Sequence, residues 1–422
     1  MNELNQSKFS DWLKFSIFGI VGVLSIALFS GCQDGDFSAE SPSADTDETV
    51  QPLGKDWPLF RGDPEMQGVS EEILPTSLEI AWSFETGDET ENRVPPIEAS
   101  PVIADGTVLF GTQLGVFFAI DLNSGEEKWR FNAEGAITAP AAAYDGRVFF
   151  GDQYGFVYAL NLSSGDELWR FETQGKIEGG VNVIPREGKP AAIFIGSHDY
   201  YLYSFDSSNG EVLWKHETGN YVVATPSIVN SGGSQAVCFG GCDGLLHVLP
   251  TSGDEEKKQE VEVGSYIANS AAVRDGIAYV AHNGGEILAI DVASGEEVWK
   301  IETGSEYTAS PAVDESLLYV ASPDKSLTAY DRVSGEEVWK FLSRRSLDSS
   351  PVVSGGFIWQ GGMDGRLYAI SKSDGKEAWS FELGAQIKAS PVVSRGMLVL
   401  CGSDGVVYAF REAEEKDSPT DS

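Results

Sequence analysis

Between Ser350 and Phe381 apolar residues gather in four short runs, in the stretch SPVVSGGFIWQGGMDGRLYAISKSDGKEAWSF. Pro351–Ser354 leads to Gly355-Gly356, Phe357–Gly361 to Asp364-Gly365, and Arg366–Ile370 to Asp374-Gly375; Glu377–Phe381 closes the unit. Short runs rich in Val, Ile, Tyr and Trp, separated by Asp-Gly or Gly-Gly pairs, are hairpin signals. The pattern predicts a four-stranded antiparallel meander. One such sheet cannot bury its two faces alone, so copies of it must stack.

Copies are present. The third run recurs at Val116–Ile120, Phe156–Leu160, Tyr201–Phe205, Leu245–Leu249, Glu286–Ile290, Ser326–Tyr330, Arg366–Ile370 and Val406–Phe410, which makes eight units. The fourth runs carry Trp129, Trp169, Trp214, Trp299, Trp339 and Trp379. The unit between Trp214 and Trp299 has lost its Trp and carries Lys257 and Lys258 in its last run. A period of 40–45 residues with four strands per period predicts an all-β fold, an eight-bladed β-propeller. The eighth unit stops at Phe410 without a fourth strand, and 79–85, which includes Trp82, is a spare one. This N-terminal strand is expected to pair with the last blade and close the ring, hiding a bare sheet edge.

The marker extends to Ala-x-Asp-x-x-x-Gly-x-x-x-Trp, as in Ala119, Asp121, Gly125 and Trp129, and again in Ala289, Asp291, Gly295 and Trp299. This resembles the tryptophan-docking motif of the PQQ-like propeller repeat family, which includes quinoprotein alcohol dehydrogenases and BamB-like outer-membrane assembly lipoproteins. The resemblance covers 78–410 and implies the fold; function belongs to sites rather than folds. The motif has a physical reading. Asp and Gly turn the chain between third and fourth strands, and the Trp lies between neighbouring blades with its N–H on a backbone acceptor. Trp82, Trp129, Trp169, Trp214, Trp299, Trp339 and Trp379 are therefore expected to be structural.

The chain ahead of the repeats divides into three parts. Residues 1–32 read as a lipoprotein signal peptide: a small-and-apolar run from Phe15 to Ser30 ends in Leu28-Phe29-Ser30-Gly31-Cys32. That run is short for a span of roughly 20 residues, and its end resembles a bacterial lipobox with Cys32 as the lipidated residue. Residues 33–56 are acidic, rich in Ser and Pro and nearly free of aliphatics, a composition that does not order. As a flexible tether they would reach roughly 25–30 Å. Residues 57–77 begin Trp57-Pro58-Leu59-Phe60-Arg61-Gly62 and read as a strap across one propeller face, where Arg61 would meet an acid. The propeller occupies 78–411, and 412–422 is a polar tail.

Charge narrows the partners. A net charge of −36 argues against nucleic acid and anionic lipid surfaces. Cys238 and Cys242 lie in one run too extended for a disulfide, so free thiols are expected. The four histidines, 198, 216, 247 and 282, show no metal-ligand spacing in sequence, and Asp243, Asp364 and Asp404 each precede a turn Gly. The family's dehydrogenases set a disulfide of adjacent cysteines against the quinone and hold calcium with Glu, Asn and Asp. No Cys-Cys pair and no long insertion occur here, so no catalytic residue, metal or cofactor is expected, and PQQ and calcium are disfavoured.

A candidate interaction site is the channel mouth, ringed by the residues before each first strand: Glu98, Glu178, Tyr266, Tyr307, Asp348 and Lys388, with Arg344 and Arg345 beside them and aliphatics such as Ile97, Ile177, Leu347 and Ile387 among them. The expectation is a monomeric, non-catalytic propeller in the bacterial cell envelope, lipid-anchored and periplasm-facing, with the outer membrane favoured. It would scaffold protein–protein contacts, and the resemblance implies the β-barrel assembly machinery as partner. The alternative is a PQQ-dependent dehydrogenase or a small-ligand-binding propeller.

Overall fold

The computed structural model describes residues 56–87, 94–231 and 234–413. Cys32, all of the tether but Asp56, and most of the tail lie outside the described residues. Eight sheets follow one another, each built on a four-stranded antiparallel meander, and the seventh gains Val69–Ser70 as a short parallel fifth strand beside Val353–Ser354. Blades one to seven span 102–132, 142–172, 182–217, 227–262, 272–302, 312–342 and 352–382. Blade eight contains Val392–Ser394, Met397–Cys401 and Val406–Glu412, and its fourth strand is Leu78–Glu85. That strand runs antiparallel to Val406–Glu412, with Ile80 opposite Phe410 and Trp82 opposite Ala409. Its Phe84 also reaches blade one, 5.6 Å from the Phe118 ring. One strand thus covers the last sheet edge and packs the first blade.

Within each blade the two middle strands are buried and the outer strand alternates, as in Glu297–Glu302. β-branched and aromatic residues suit such pleated, two-faced packing. The core runs between neighbouring blades. Phe117 of blade one stacks on Phe150 of blade two at 4.2 Å. Six of the tryptophans bridge such seams through the indole N–H. Trp82, Trp129, Trp169, Trp214, Trp299 and Trp339 donate to Leu122, Leu162, Ser207, Thr251, Arg332 and Lys372 carbonyls at 2.8–3.1 Å. Each ring lies over the turn Gly of the next blade. At Gly165 a Cβ would sit 2.6 Å from Trp129, and φ there is +76°, so space and backbone both call for glycine. Trp379 packs differently, edge-on to Trp359 and Phe410.

Blade four departs from its siblings. Its last run is not a plain strand, because a single 3₁₀ turn, Glu255–Lys257, precedes a short Gln259–Glu262 strand. Gln259, not Trp, lies over Gly295 of blade five.

The innermost strands are joined by a hydroxyl relay. The N–H of Gly180 donates to Thr225 Oγ1, Thr225 to Ser270, Ser270 to Ser310, Ser310 to Ser350, Ser350 to Ser390 and Ser390 to Ser100, at 2.8–3.2 Å. Blade two supplies Pro140 at this position, one residue out of step with the prolines of the other blades, and Pro140 has neither N–H nor hydroxyl. A Cβ on Gly180 would meet Pro140 and Thr225 at 2.8–3.0 Å. Ser310→Ala leaves the buried Ser270 amide without its acceptor and is expected to cost about 1–3 kcal/mol. Urea unfolding monitored by tryptophan fluorescence reads this as a lower midpoint at unchanged slope.

Candidate functional site in the axial cup

The segment 57–70 closes one end of the central channel. It circles the axis and offers backbone carbonyls to successive first strands. Ile103, Ala143, Ile228, Val273, Val313 and Val353 N–H donate to Trp57, Pro58, Pro64, Glu65, Gln67 and Gly68 at 2.7–2.9 Å. Asn182 Nδ2 supplies the contact from blade three, also to Pro64. Ser70 Oγ reaches blade eight at the Val393 carbonyl. All eight blades are therefore tied to one strand of chain.

Arg61 lies within this closure, 1% exposed, at φ +65°. The sequence placed it against an acid. It meets carbonyls instead: its Nη2 donates to Pro311 and Pro351, and its Nε and Nη1 have no partner. Burial pulls the guanidinium down to about 9, against the raising influence of Asp63. Gly68, at φ +70°, gives it room, since a Cβ there would stand 2.0 Å from Nη2.

Above this floor the channel is a blind cup of about 550 Å³. Its wall carries Glu98, Thr138, Glu178, Val223, Ala268, Thr308, Asp348 and Lys388, one from each blade, over the hydroxyl relay and Phe60. Lys388 Nζ pairs with Glu98 at 2.7 Å. His198 Nε2 lies 2.8 Å from Glu178 and holds that carboxyl below its usual range. Burial raises the Asp348 carboxyl. Asn269 donates through Nδ2 to Ala281 and Tyr307 carbonyls, while its buried Oδ1 has no partner.

Several expected mouth residues lie elsewhere. The aliphatics ahead of the first strands do not ring the channel. Ile137, Ile177, Val222, Ile267 and Ile387 are buried against the glycines that end the preceding blades' second strands, Gly111, Gly151, Gly196, Gly240 and Gly361. A Cβ on those glycines would lie 2.1–2.5 Å away. The next residue in each entry segment points inward, so the wall is polar at six of its eight positions, with Val223 and Ala268 the exceptions. Tyr307 follows the aliphatic pattern: it is 3% exposed, its hydroxyl bonding Thr303. Tyr266 lines the cup, whereas Arg344 and Arg345 are exposed outside its lining.

The face around the mouth is uneven. The turns between second and third strands sit beside the blade entries, as the N–H of Gln113, Gln153 and His198 donating to Pro96, Ala136 and Lys176 shows. Leu114, Tyr154, Tyr200, Tyr221 and Tyr266 are exposed on this face across blades one to five, Tyr154 at 70%. Blades six to eight present Lys325, Arg344, Arg345 and Lys388 there.

Does the cup fit the quinone apparatus of the dehydrogenases? Oxygen donors are at hand in Glu178, Asn269 and Asp348. The platform is not. Cys242 is the cysteine that lines the cup, and Cys238, Cys242 and Cys401 are all free. Burial and then the nearby Asp243 and Glu178 charges raise the Cys242 thiol, so it is neither a disulfide partner nor a ready thiolate. The residues present do not fit the bound quinone.

Fold and site together define a PQQ-like propeller with one sealed end and one open cup. A family model described as "Outer membrane protein assembly factor BamB" matches residues 115–266, 243–347 and 327–416, well over half of the chain, and the chain belongs to that family. A second model, the β-propeller domain of glucose/ethanol/alcohol dehydrogenases, matches 75–143. Among solved structures, BamB from Moraxella catarrhalis superposes with TM-score 0.66 at 20% identity, over 81% of this chain and 99% of that one. Quinohemoprotein alcohol dehydrogenase from Comamonas testosteroni gives 0.70 at 15% identity, over 86% and 82%. Quinoprotein glucose dehydrogenase of Escherichia coli (strain K12) is 32% identical over 124 residues, 27% of this chain but 15% of that protein's length.

Proposed function

We propose that this chain is a non-catalytic scaffold of the cell envelope, tethered through Cys32, whose mouth face docks an extended segment of a partner protein in outer-membrane protein assembly. The carrying observation is the exposed aromatic arc of Tyr154, Tyr200, Tyr221 and Tyr266 on blades two to five, facing the exposed Lys325, Arg344 and Arg345 on the other side of the mouth. Aromatic side chains beside arginines are what protein interfaces use as anchors. The partner segment would carry apolar residues flanked by acids. Family membership supports the assembly role, and the poor fit to a quinone argues against the dehydrogenase reading. Among the described residues no helix is long and apolar enough to cross a membrane.

Photo-crosslinking residues at Tyr154 and Tyr200, expressed in the native host, are expected to capture a component of the assembly machinery. The same residue at Val333, exposed on the sealed side, is not. Equal capture from both faces, or none from the mouth, overturns the reading. So does dye-linked alcohol oxidation after incubation with PQQ and calcium. One observation favours a second reading, a small polar ligand in the cup: the buried Asn269 Oδ1 lacks a donor, and the cavity is of ligand size.

A further inference from the structure

Two of the four histidines that sequence spacing left scattered meet at the seam between blades three and four. His216 lies on the outer strand of blade three, Val212–Glu217, and His247 on the third strand of blade four, Leu245–Pro250. Glu260 stands directly across from His247 in the strand ladder. One ligand atom from each, His216, His247 and Glu260, falls within 4.8 Å of the other two. Both imidazoles are 1% exposed, whereas the Glu260 carboxylate faces solvent.

The hydrogen bonds say which nitrogens face inward. His216 Nδ1 lies 2.8 Å from Glu255 Oε1, and His247 Nε2 lies 2.9 Å from Asp243 Oδ2. A carboxylate accepts, so each of those nitrogens carries the proton. The opposite nitrogens, His216 Nε2 and His247 Nδ1, then present lone pairs, and both are buried without a hydrogen-bond partner. Two unsatisfied buried acceptors beside a carboxylate at 3.9 Å ask for a cation. Phe239 stacks on the His247 ring at 5.0 Å and fixes its plane.

We propose that His216 Nε2, His247 Nδ1 and the Glu260 carboxylate bind one zinc-class divalent cation, with Glu255 and Asp243 orienting the two imidazoles. Two imidazoles and a carboxylate are a borderline donor set suited to zinc, which keeps a fourth, solvent-side position. Carboxylates on the far nitrogens are the usual support of metal-bound histidine. In a tetrahedral site bonds of roughly 2.0–2.2 Å set donors about 3.3–3.6 Å apart, so a triad whose atoms lie within 4.8 Å of one another closes on the cation by shifts of about an ångström, to which the solvent-facing Glu260 contributes. Lys258 Nζ, 2.9 Å from Glu260 Oε1, is the group the cation competes with. The 3₁₀ turn that sets blade four apart places Glu255 on His216. The cation would cross-link the outer strands of two blades.

The test uses the full chain stripped with EDTA and titrated with Zn²⁺ by calorimetry and with Co²⁺ by its visible spectrum. One cation per chain, a tetrahedral Co²⁺ spectrum and a rise in Tm with Zn²⁺ are expected. Glu260→Gln and His247→Gln should each abolish the spectrum, and Asp243→Asn should weaken affinity about 10–100-fold. His282→Gln, on blade five, should change nothing. Glu260 is exposed, so its variant keeps the fold, and Tm in EDTA verifies this for all four. No binding by the wild-type chain, or binding untouched by Glu260→Gln and His247→Gln, overturns the site.

Discussion

A chain shortened to begin at Thr86 will not accumulate as a soluble monomer. It lacks the strap 57–70, which ties the blades together, and also Leu78–Glu85, which forms seven register pairs with Val406–Glu412 and packs Phe84 on blade one. Loss of that strand bares the length of the last strand's edge, with Val407, Ala409 and Phe410 that are now buried. A long, unpaired, apolar edge templates association. Size-exclusion chromatography should show aggregate where the full chain elutes as one species. The point variant Trp82→Ala isolates the packing part. It removes an indole lying over Gly125 and its bond to Leu122, at about 3–5 kcal/mol, and should leave a folded, less stable propeller. A soluble, cooperatively unfolding monomer from the shortened chain would refute ring closure by this strand.

Gly68→Ala is expected to destabilise the propeller by roughly 3–5 kcal/mol, a large effect for one methyl group on an exchange that is helpful in most loops. At φ +70° an L side chain is strained, and the new carbon would press on Nη2 and Cζ of Arg61. The guanidinium would have to leave the Pro311 and Pro351 carbonyls, a charged group losing its only bonds in a buried site. Arg61→Met clears the obstruction. The double variant should therefore lose less than the sum of the single ones, and a double-mutant cycle from urea midpoints measures the coupling. Strict additivity would show that Arg61 and Gly68 do not depend on each other.

Much of the fold was legible because it repeats. Each third-strand marker falls inside an observed strand, since Asp-Gly and Ser-Gly turns fix hairpin length locally. Blade closure was legible for the same reason: a missing strand at one end and a spare at the other. The wall of the cup was half legible. Its positions were identified, but the alternation within them was not, because which of two adjacent residues points inward depends on a glycine in the preceding blade. Ile177 drops against Gly151 and leaves Glu178 facing the axis. Tyr307 was misplaced by the same alternation, with Ala281 where blades one to four and blade seven have glycine. The histidine cluster was illegible from spacing. His216 and His247 lie on different blades, and metal-ligand motifs in sequence presume one loop or one helix. The available signal was indirect: the single unit that abandons its tryptophan also carries an unusual run of charged residues.

The strap also decides which way the molecule faces. Asp56 is pinned at its start, its carboxylate bonded to Arg395 and to the Asp105 N–H, on the opposite end from the cup. The polypeptide upstream thus joins the propeller from behind. A pull applied at Asp56 would load the blind side of the ring rather than the rim of the opening.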